Sequence, residues 1–191
     1  MLKKLIALLA AALIVFAIVW GTPYAQHQVD MRMYPTPYEE IVAGYAGAYQ
    51  LDPLLIYAFM RTESSFDPLA QSNVDARGLL QITEITFDWL KPRAGADPDL
   101  VFEDLYDPET SIFLGSYYIS RCLVRYGGDI PTAAAAYHSG WGTVDKLLAD
   151  PAYSSNGKTL DVFPYRQMNH YVAKITNAYA KYQEIYRTEG E

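Results

Sequence analysis

The sequence predicts an all-α protein, and three observations support this fold class. In several segments, apolar residues recur every three or four positions, which is the spacing of one helix face. Helix-start signals are frequent, and no segment sustains the two-residue alternation of a half-buried strand. The chain has 191 residues, 51% hydrophobic and 19% charged, which suits one globular domain with an appendage.

The first 21 residues have the features of a signal anchor or a signal peptide. Lys3 and Lys4 precede an apolar run, 5–21, that carries no charge and is about as long as the shortest membrane-spanning helix. Pro23 stands where a signal peptidase needs a small residue. We therefore predict an uncleaved, single-pass membrane anchor with the rest of the chain outside the cytoplasm. A cleaved signal peptide, which would give a secreted protein, is the alternative.

The remainder is predicted to be a linker, 22–35, followed by a domain of short helices, 36–187. Thr36 and Glu39 have capping-box spacing around Pro37, which predicts a helix start. Asp-Pro pairs predict further starts, because the Asp side chain caps free amides and Pro presets φ. These pairs lie at 52–53, 67–68, 97–98, 107–108 and 150–151.

Two of the helices have clear boundaries in the sequence. One runs from Asp107 to Gly127, and Cys122 on its apolar stripe is interpreted as a small core residue. The last helix runs from about Tyr165 to Tyr186, with apolar side chains at three- and four-residue spacing. The stretch 64–82 is too irregular to assign.

Charge and residue types exclude several functions. The formal net charge is −7, and residues 1–35 carry +2, which leaves −9 for the rest of the chain. Such an acidic body lacks the basic footprint of a nucleic-acid-binding protein. A single cysteine excludes an intramolecular disulfide framework and a cysteine-based zinc site. His27 and His170 lack ligand spacing with other His, Asp or Glu residues, so no metal and no cofactor is predicted.

One carboxylate, Glu63, falls on an apolar helix face. Apolar residues stand three, four and seven positions before it, so their side chains share its face. Burial and the negative end of the helix dipole would both raise its pKa, which is how a glutamate becomes a general acid near neutral pH. The structural alternative is a glutamate that reaches solvent or pairs with Arg61 or Arg77.

Three blocks, in this order, resemble the catalytic domain of the soluble lytic transglycosylases. In that family the blocks read Glu-Ser, Gly-Leu-Met-Gln and Ala-Tyr-Asn-Ala-Gly. In this chain they are Glu63-Ser64, Gly78-Leu79-Leu80-Gln81 and Ala136-Tyr137-His138-Ser139-Gly140, and Tyr171-Val172 follows later. The resemblance covers about 36–187 and implies the lysozyme-like fold that this family shares with goose-type lysozyme.

The resemblance implies that Glu63 is the sole catalytic acid and base. It would protonate the β-1,4 bond between N-acetylmuramic acid and N-acetylglucosamine in the glycan strands of peptidoglycan. It would then deprotonate the muramoyl 6-hydroxyl, whose oxygen closes on C1 to give a 1,6-anhydro product. One carboxylate suffices because the nucleophile belongs to the substrate, whereas other glycosidases usually need two. Asp67, the nearest acid, is interpreted as a helix start.

The resemblance also implies a set of substrate-binding residues. Among them, Gln81 would hydrogen-bond a sugar, Tyr137 would approach the acid, and Ser64 would hold the acid or an adjacent sugar. Gly78 and Leu79 would shape the cleft floor. Each of these residues also has a plain structural interpretation, in a turn, in the core or at a helix end. The full set is Ser64, Gly78, Leu79, Gln81, Tyr137, His138 and Tyr171.

Three residues depart from the family pattern. His138 replaces Asn and Leu80 replaces Met. Gln167 stands where a Glu commonly follows a Pro-aromatic pair, which in this chain is Pro164-Tyr165. The leading hypothesis is a membrane-anchored lytic transglycosylase that remodels the cell wall. One alternative is a goose-type-lysozyme-like hydrolase of the same bond. The other is a non-catalytic peptidoglycan-binding protein, which His138 and Gln167 motivate.

Overall fold

The computed structural model describes residues 16, 21–22 and 24–187, which fall into two compact units. One unit is Thr36–Glu184, and the other combines the residues up to Pro35 with those from Ile185 onward. The predicted anchor, 5–21, lies outside the described residues except for Phe16 and Gly21. In the described part of the chain, no helix is both long enough and apolar enough to cross a membrane.

The smaller unit contains a helical stretch, 24–33, which we call α1. It occupies most of the predicted linker, 22–35. Gln26 Nε2 donates a hydrogen bond to Asp30 Oδ1 at 2.9 Å, which supports the helix through an i, i+4 side-chain pair. Pro35 and Pro37 follow its end, where proline cannot continue a helix.

The larger unit is built from helices joined by loops, of which 64–83 and 149–165 are the longest. The described residues contain no strand; two isolated β-bridges, Gln71 with Arg77 and Arg77 with Ile82, order the segment 71–82. The predicted all-α fold class is therefore confirmed. The elements are α2 (Glu39–Tyr49), α3 (Pro53–Glu63), α4 (Glu84–Arg93), a 3-10 helix (Phe102–Tyr106), α5 (Pro108–Arg125), α6 (Ile130–Ser139), α7 (Trp141–Leu148) and α8 (Arg166–Tyr186).

Asp-Pro pairs begin two of these helices. Asp52 Oδ1 accepts a hydrogen bond from Leu54 N at 2.9 Å before α3, and Asp107 Oδ2 accepts one from Thr110 N at 2.9 Å before α5. The prediction is wrong for the other three pairs, which lie in turns. There the Asp side chain accepts a hydrogen bond from the backbone N–H two residues later, as seen for Asp67, Asp97 and Asp150.

Two further helix starts differ from prediction. The capping box at Thr36 is wrong, because α2 follows Tyr38, which has φ +60° and makes no side-chain capping bond. Residues 37–38 form a turn before the helix instead. Conversely, Asp129 caps α6 by accepting a hydrogen bond from Thr132 N at 2.8 Å. The Asp-Pro signal does not mark this start, because Ile130 separates Asp129 from Pro131.

Helix α3 lies in the core and carries Glu63 at its end. Residues 55–60 are all buried, although the sequence predicted one buried face; six consecutive residues cannot share one helix face. Phe59 packs edge-on against Tyr137 of α6, with ring centroids 4.9 Å apart, and also against Tyr171 of α8. These contacts bring the C-terminal end of α3 to the junction of α6 and α8.

Helix α5 is the scaffold for the other helices, since it packs against α2, α4, α6 and the 3-10 helix. Cys122 on α5 is confirmed as a core residue, and its Sγ accepts a hydrogen bond from Trp141 Nε1 at 3.3 Å. Burial raises the pKa of this thiol to about 12, so it stays protonated and is a poor nucleophile. Helix α8 follows its predicted boundaries closely.

Candidate active site

Glu63 places its carboxyl in a cleft of about 360 Å³. Tyr171 Oη donates a hydrogen bond to Glu63 Oε1 at 2.5 Å. Burial raises the pKa of Glu63 from 4.5 to about 7, although the Tyr171 hydrogen bond and the positive charge of Lys174 both act to lower it. At neutral pH a large fraction of Glu63 is therefore protonated, as a general acid requires.

Arg77 is not a partner of this carboxyl. Its guanidinium bonds to Asp75 and to Glu103 Oε1, the latter at 2.8 Å, and it lies 4.1 Å from the centroid of the Phe102 ring. Lys174 is the cation that influences the pKa of Glu63, and no arginine contributes to that shift. An ion pair with Arg77 therefore does not explain why the helix carries a glutamate here.

The hydroxyl that contacts Glu63 belongs to Tyr171 rather than to Tyr137. Tyr137 lines the cleft, but its Oη donates a hydrogen bond to Leu80 O at 2.7 Å. Burial and the nearby charge of Glu63 raise the pKa values of both tyrosines well above the ordinary value, so both hydroxyls stay protonated and can donate. Tyr171 thus makes the hydrogen bond to the carboxyl, and Tyr137 lies near enough for the charge of Glu63 to act on its pKa.

Ser64 connects the end of α3 to the loop that contains Gln81. Its Oγ lies 2.9 Å from Leu79 O and 3.2 Å from Met60 O, and it accepts a hydrogen bond from Phe66 N at 3.1 Å. These contacts join Ser64 to backbone atoms of α3 and of the loop rather than to the Glu63 carboxyl. They fix the position of Glu63 relative to the loop, because Glu63 is the residue before Ser64.

Gly78 and Leu79, the expected floor of the cleft, are buried and are not among the residues that line it. Leu79 is fully buried in the core. Gly78 has φ +74°, and a Cβ atom there would lie 1.9 Å from Leu105 O and 2.9 Å from Ser111 Oγ. Glycine is thus required by close packing against the 3-10 helix and α5, not by approach to a ligand.

Gln81 lies in the cleft wall with its side chain held by the backbone. Its Nε2 donates hydrogen bonds to Ala70 O and Gly78 O, both at 3.0 Å. Since the amide nitrogen is engaged, the amide oxygen is the atom suited to accept a hydrogen bond from a ligand. The φ of Gln81 is +46°, an uncommon conformation for a residue other than glycine, and such strain often occurs at functional sites.

His138 lies at the cleft, where its ring stacks on that of Tyr171. The centroids are 4.5 Å apart and the planes differ by 15°. Partial burial lowers the pKa of His138, so the imidazole is neutral at pH 7. Gln167, the other polar departure from the family pattern, is exposed and lines a separate surface depression with His170 rather than the cleft.

Other side chains of the cleft were not identified from the sequence. Thr83 and Thr86 follow Gln81 closely in the chain, and their hydroxyls lie 3.0 Å apart. Tyr118 stands three residues after Gly115 on the α5 stripe, a spacing that could have placed it on the same face. Ser72 and Val74 belong to the irregular segment, which gave no signal. Among the described residues, no group of three or more His, Cys, Asp or Glu could hold a metal ion.

Comparison with known proteins gives one family. Residues 40–158 match the family described as the transglycosylase SLT domain. A membrane-bound lytic murein transglycosylase C from Serratia proteamaculans is 30% identical over 163 residues, covering 71% of this chain and 43% of that protein. A transglycosylase of Enterobacteria phage PRD1 is 34% identical over 112 residues, covering 56% of this chain and 38% of that protein. The chain thus spans less than half the length of these curated relatives.

Solved structures share the fold. The 70 kDa soluble lytic transglycosylase from Escherichia coli matches with a TM-score of 0.74 at 23% identity, covering 85% of this chain and 26% of that chain. Lytic transglycosylase Slt from Pseudomonas aeruginosa matches with a TM-score of 0.69 at 25% identity, covering 79% of this chain and 24% of that chain. The expected lysozyme-like fold is confirmed by these matches.

Proposed function

Because this chain belongs to the transglycosylase SLT domain family, we propose that it is a peptidoglycan lytic transglycosylase with Glu63 as its single acid and base. One observation carries this proposal: a half-buried carboxyl with a pKa raised to about 7 lies in the cleft. It is the only carboxylate among the described residues that line the cleft. Inverting and retaining glycosidases usually need two, so the nucleophile here would come from the substrate.

The proposed reaction moves two protons through Glu63. The protonated carboxyl gives its proton to the oxygen of the β-1,4 bond, and the bond from that oxygen to C1 of the muramoyl residue breaks. The carboxylate then takes the proton of the muramoyl 6-hydroxyl while that oxygen bonds to C1, which closes the 1,6-anhydro ring and restores the acid. Tyr171 binds Oε1, so Oε2 is the oxygen that would exchange protons.

Substrate binding is proposed for the other polar groups of the cleft. The amide oxygen of Gln81 would accept a hydrogen bond from a sugar N–H or hydroxyl. The neutral imidazole of His138 would contact the sugar nearest Tyr171, because its ring is held there by stacking. Tyr137 and Ser64 would act indirectly, by fixing the 78–81 loop against α6 and α3.

Product analysis tests the proposed function. The full chain is incubated with purified peptidoglycan, and the released fragments are analysed by mass. We expect fragments that end in 1,6-anhydro-N-acetylmuramic acid, which lack the mass of one water relative to hydrolysis products. Fragments with a reducing N-acetylmuramic acid would instead support the lysozyme-like hydrolase. Binding to peptidoglycan without fragments would support the non-catalytic binding protein.

Tyr171→Phe should change the pH dependence of cleavage. The Tyr171 hydroxyl lowers the pKa of Glu63, so its removal raises that pKa further above about 7. The acid form would then persist to higher pH, and the alkaline limb of kcat/KM should move to higher pH. The maximal rate should fall about 10- to 100-fold, because one carboxyl oxygen loses the group that orients it. Rates measured across pH for both proteins check this.

A matched variant controls for the loss of any buried hydroxyl. Tyr137→Phe removes a hydroxyl that donates to Leu80 O rather than to the acid. Its pH profile should keep the alkaline limb of the parent even if its stability falls. An alkaline limb at the same pH in Tyr171→Phe and in the parent would contradict the proposal that the Tyr171 hydroxyl lowers the pKa of Glu63.

We also propose that residues 5–21 anchor the protein in the cell membrane, with the catalytic unit on the outer side. The apolar run after Lys3 and Lys4 supports this, and the Serratia relative is named as membrane-bound. The mass of the mature protein in the membrane fraction tests the proposal. An intact N-terminus in that fraction is expected, whereas a shortened chain in the soluble fraction would support a cleaved signal peptide.

A further inference from the structure

His138 lies beside the tyrosine that binds the carboxyl of Glu63. Its imidazole ring stacks on the ring of Tyr171, and Tyr171 Oη donates a hydrogen bond to Glu63 Oε1 at 2.5 Å. Two direct contacts therefore join the imidazole to the carboxyl. His138 is exposed and lines the cleft, whereas Tyr171 is only 8% exposed. A proton from solvent can thus reach the imidazole, and one aromatic ring would separate the resulting charge from the hydrogen bond of Glu63.

The stacked imidazole also restricts the ring of Tyr171. Phe59 of α3 meets that ring edge-on, with centroids 6.5 Å apart, and His138 of α6 lies nearly parallel to it. Because Tyr171 belongs to α8, contacts from two other helices fix the direction of its hydroxyl. A side chain that is locked by packing holds its hydrogen-bonded partner in a defined geometry. His138 is therefore placed to orient the Glu63 carboxyl through Tyr171.

Among the described residues around His138, two groups change charge near neutral pH, the imidazole itself and the carboxyl of Glu63. Burial lowers the pKa of His138 from 6.5, and no carboxylate or cation contributes to that shift. Burial raises the pKa of each neighbouring tyrosine, so the three hydroxyls stay protonated. The cleft-lining residues of α4 and of the loop 64–83 carry no charge. The other titratable side chains of this region are Glu63 of α3, Tyr118 of α5, Tyr137 of α6, and Tyr171 and Lys174 of α8.

The carboxyl and the imidazole would bind protons in a defined order as the pH falls. Glu63, with a pKa raised to about 7, binds the first proton, and His138, with a pKa below 6.5, binds the second. The state with one proton has an acid at Glu63 and a neutral imidazole, which is the state that the proposed reaction requires. Because the two groups are close, both apparent pKa values belong to the pair.

We propose that His138 is a positioning residue for Tyr171 and Glu63, and that a proton bound by its imidazole stops cleavage at acid pH. The inference rests on the proposed function, which supplies the reaction. The imidazolium would stabilise the carboxylate form of Glu63 and so weaken it as an acid. It would also repel the positive charge that develops at C1 in an oxocarbenium-like transition state. The Asn of the family pattern cannot gain a charge, so this acid limit would come from His138.

The pH profile of the full chain tests the role of the charge. The value of kcat/KM is measured on peptide-free glycan strands, so that peptide stems contribute no titration. We expect the parent to lose about tenfold in kcat/KM per pH unit below its acid limb, because one proton abolishes activity. His138→Phe keeps a ring that can stack but binds no proton, and His138→Ala lacks both. Each variant should lose less than about twofold over the same range.

The same two variants test the role of the ring. Neither retains the imidazole nitrogens, and only His138→Phe retains a ring that can stack on Tyr171. At the optimal pH, kcat should be about 3- to 10-fold lower for His138→Ala than for His138→Phe, because a less restricted Tyr171 orients Glu63 less well. Equal kcat values would contradict the positioning role.

His170→Asn is the matched control for the loss of a histidine. His170 is also exposed and directly precedes Tyr171, but it lines a separate surface depression. Its variant should keep the acid limb of the parent. An acid limb that persists in both His138 variants, or one that His170→Asn also removes, would overturn the inference while the proposed function stands.

NMR separates the inference from the proposed function, because it requires no turnover. In the parent, the carboxyl carbon of Glu63 should show a second, smaller change in chemical shift at the pH where the His138 imidazole titrates. Both His138 variants should lack this change, and His170→Asn should keep it. If the change is seen in a protein that cleaves no peptidoglycan, the coupling of His138 to Glu63 stands and the proposed function fails. Its absence from the parent would contradict the coupling.

Discussion

Glu63→Gln should reduce cleavage of peptidoglycan by about 1,000-fold or more, because it removes the group that both gives and takes the proton. The amide keeps an oxygen that can accept the hydrogen bond from Tyr171, so the side chain should stay in place. Fragment release from purified peptidoglycan, measured at several enzyme concentrations, gives the ratio of rates. Loss of activity without loss of glycan binding is the expected combination.

Asp67→Asn provides the matched control for this substitution. Asp67 is the acid nearest to Glu63 in the sequence, and its exposed side chain caps a turn by accepting a hydrogen bond from Leu69 N. An amide oxygen can accept the same bond, so the turn should persist. Activity close to that of the parent is expected. A large loss in the Asp67 variant, or residual turnover in the Glu63 variant near the parental rate, would contradict a single acid and base.

Glu63→Gln should also alter how the stability of the protein depends on pH. Below about pH 4.5 the Glu63 carboxyl is protonated in both the folded and the unfolded chain, so its ionisation does not affect stability. Between pH 4.5 and about 7 only the unfolded chain loses the proton, so the free energy of unfolding falls as pH rises. The loss reaches roughly 3 kcal/mol above pH 7. The free energy of unfolding, measured across this pH range, should not fall in this way for Glu63→Gln. If it falls with pH equally in the parent and the variant, the pKa of Glu63 is not raised.

Gly78→Ala should have the largest effect on stability. A Cβ atom at position 78 would overlap Leu105 O at 1.9 Å, and φ is +74°, which disfavours any side chain. The backbone on both sides must move, so we expect a loss of about 3 kcal/mol or more, or failure to fold. Denaturant midpoints measure the loss. The cleft should be disturbed as well, because Gly78 O holds the side-chain amide of Gln81.

Gly95→Ala separates the steric clash from the backbone conformation. Gly95 has φ +69°, close to that of Gly78, but a Cβ atom there would meet nothing within 4 Å. Only the cost of a left-handed conformation should appear, about 1–2 kcal/mol. Similar losses for the two variants would show that close packing against Leu105 is not what requires glycine at position 78.

The sequence predicted the fold class and the longer helices because periodic apolar residues report directly on buried helix faces. Helix starts were less predictable. An Asp-Pro pair begins a helix at Asp52, whereas another begins a turn at Asp67. In both, the Asp side chain accepts a hydrogen bond from the backbone N–H two residues later. The local bond is identical, so the outcome depends on whether the following residues can bury an apolar face.

The candidate site was predictable in part. Glu63 could be identified as a candidate from the sequence, because it is an ionisable residue on an apolar helix face and because Glu63-Ser64 resembles the first block of the family pattern. The partner of its carboxyl could not, because Tyr137 and Tyr171 both occupy apolar positions, and only the packing of α6 and α8 decides which hydroxyl reaches Glu63. For the same reason, the motif residues Gly78 and Leu79 could not be recognised as core residues without the position of Leu105.

The fold keeps a large fraction of Glu63 protonated near neutral pH, and titration of its carboxyl carbon by NMR measures this protonation. The signal is assigned by its absence in Glu63→Gln. It is then followed across a pH range that includes both the ordinary pKa of 4.5 and the raised pKa of about 7. We expect a midpoint near pH 7 for Glu63, matched by the alkaline limb of kcat/KM in the parent. A midpoint near the ordinary value of 4.5 would contradict a raised pKa for Glu63.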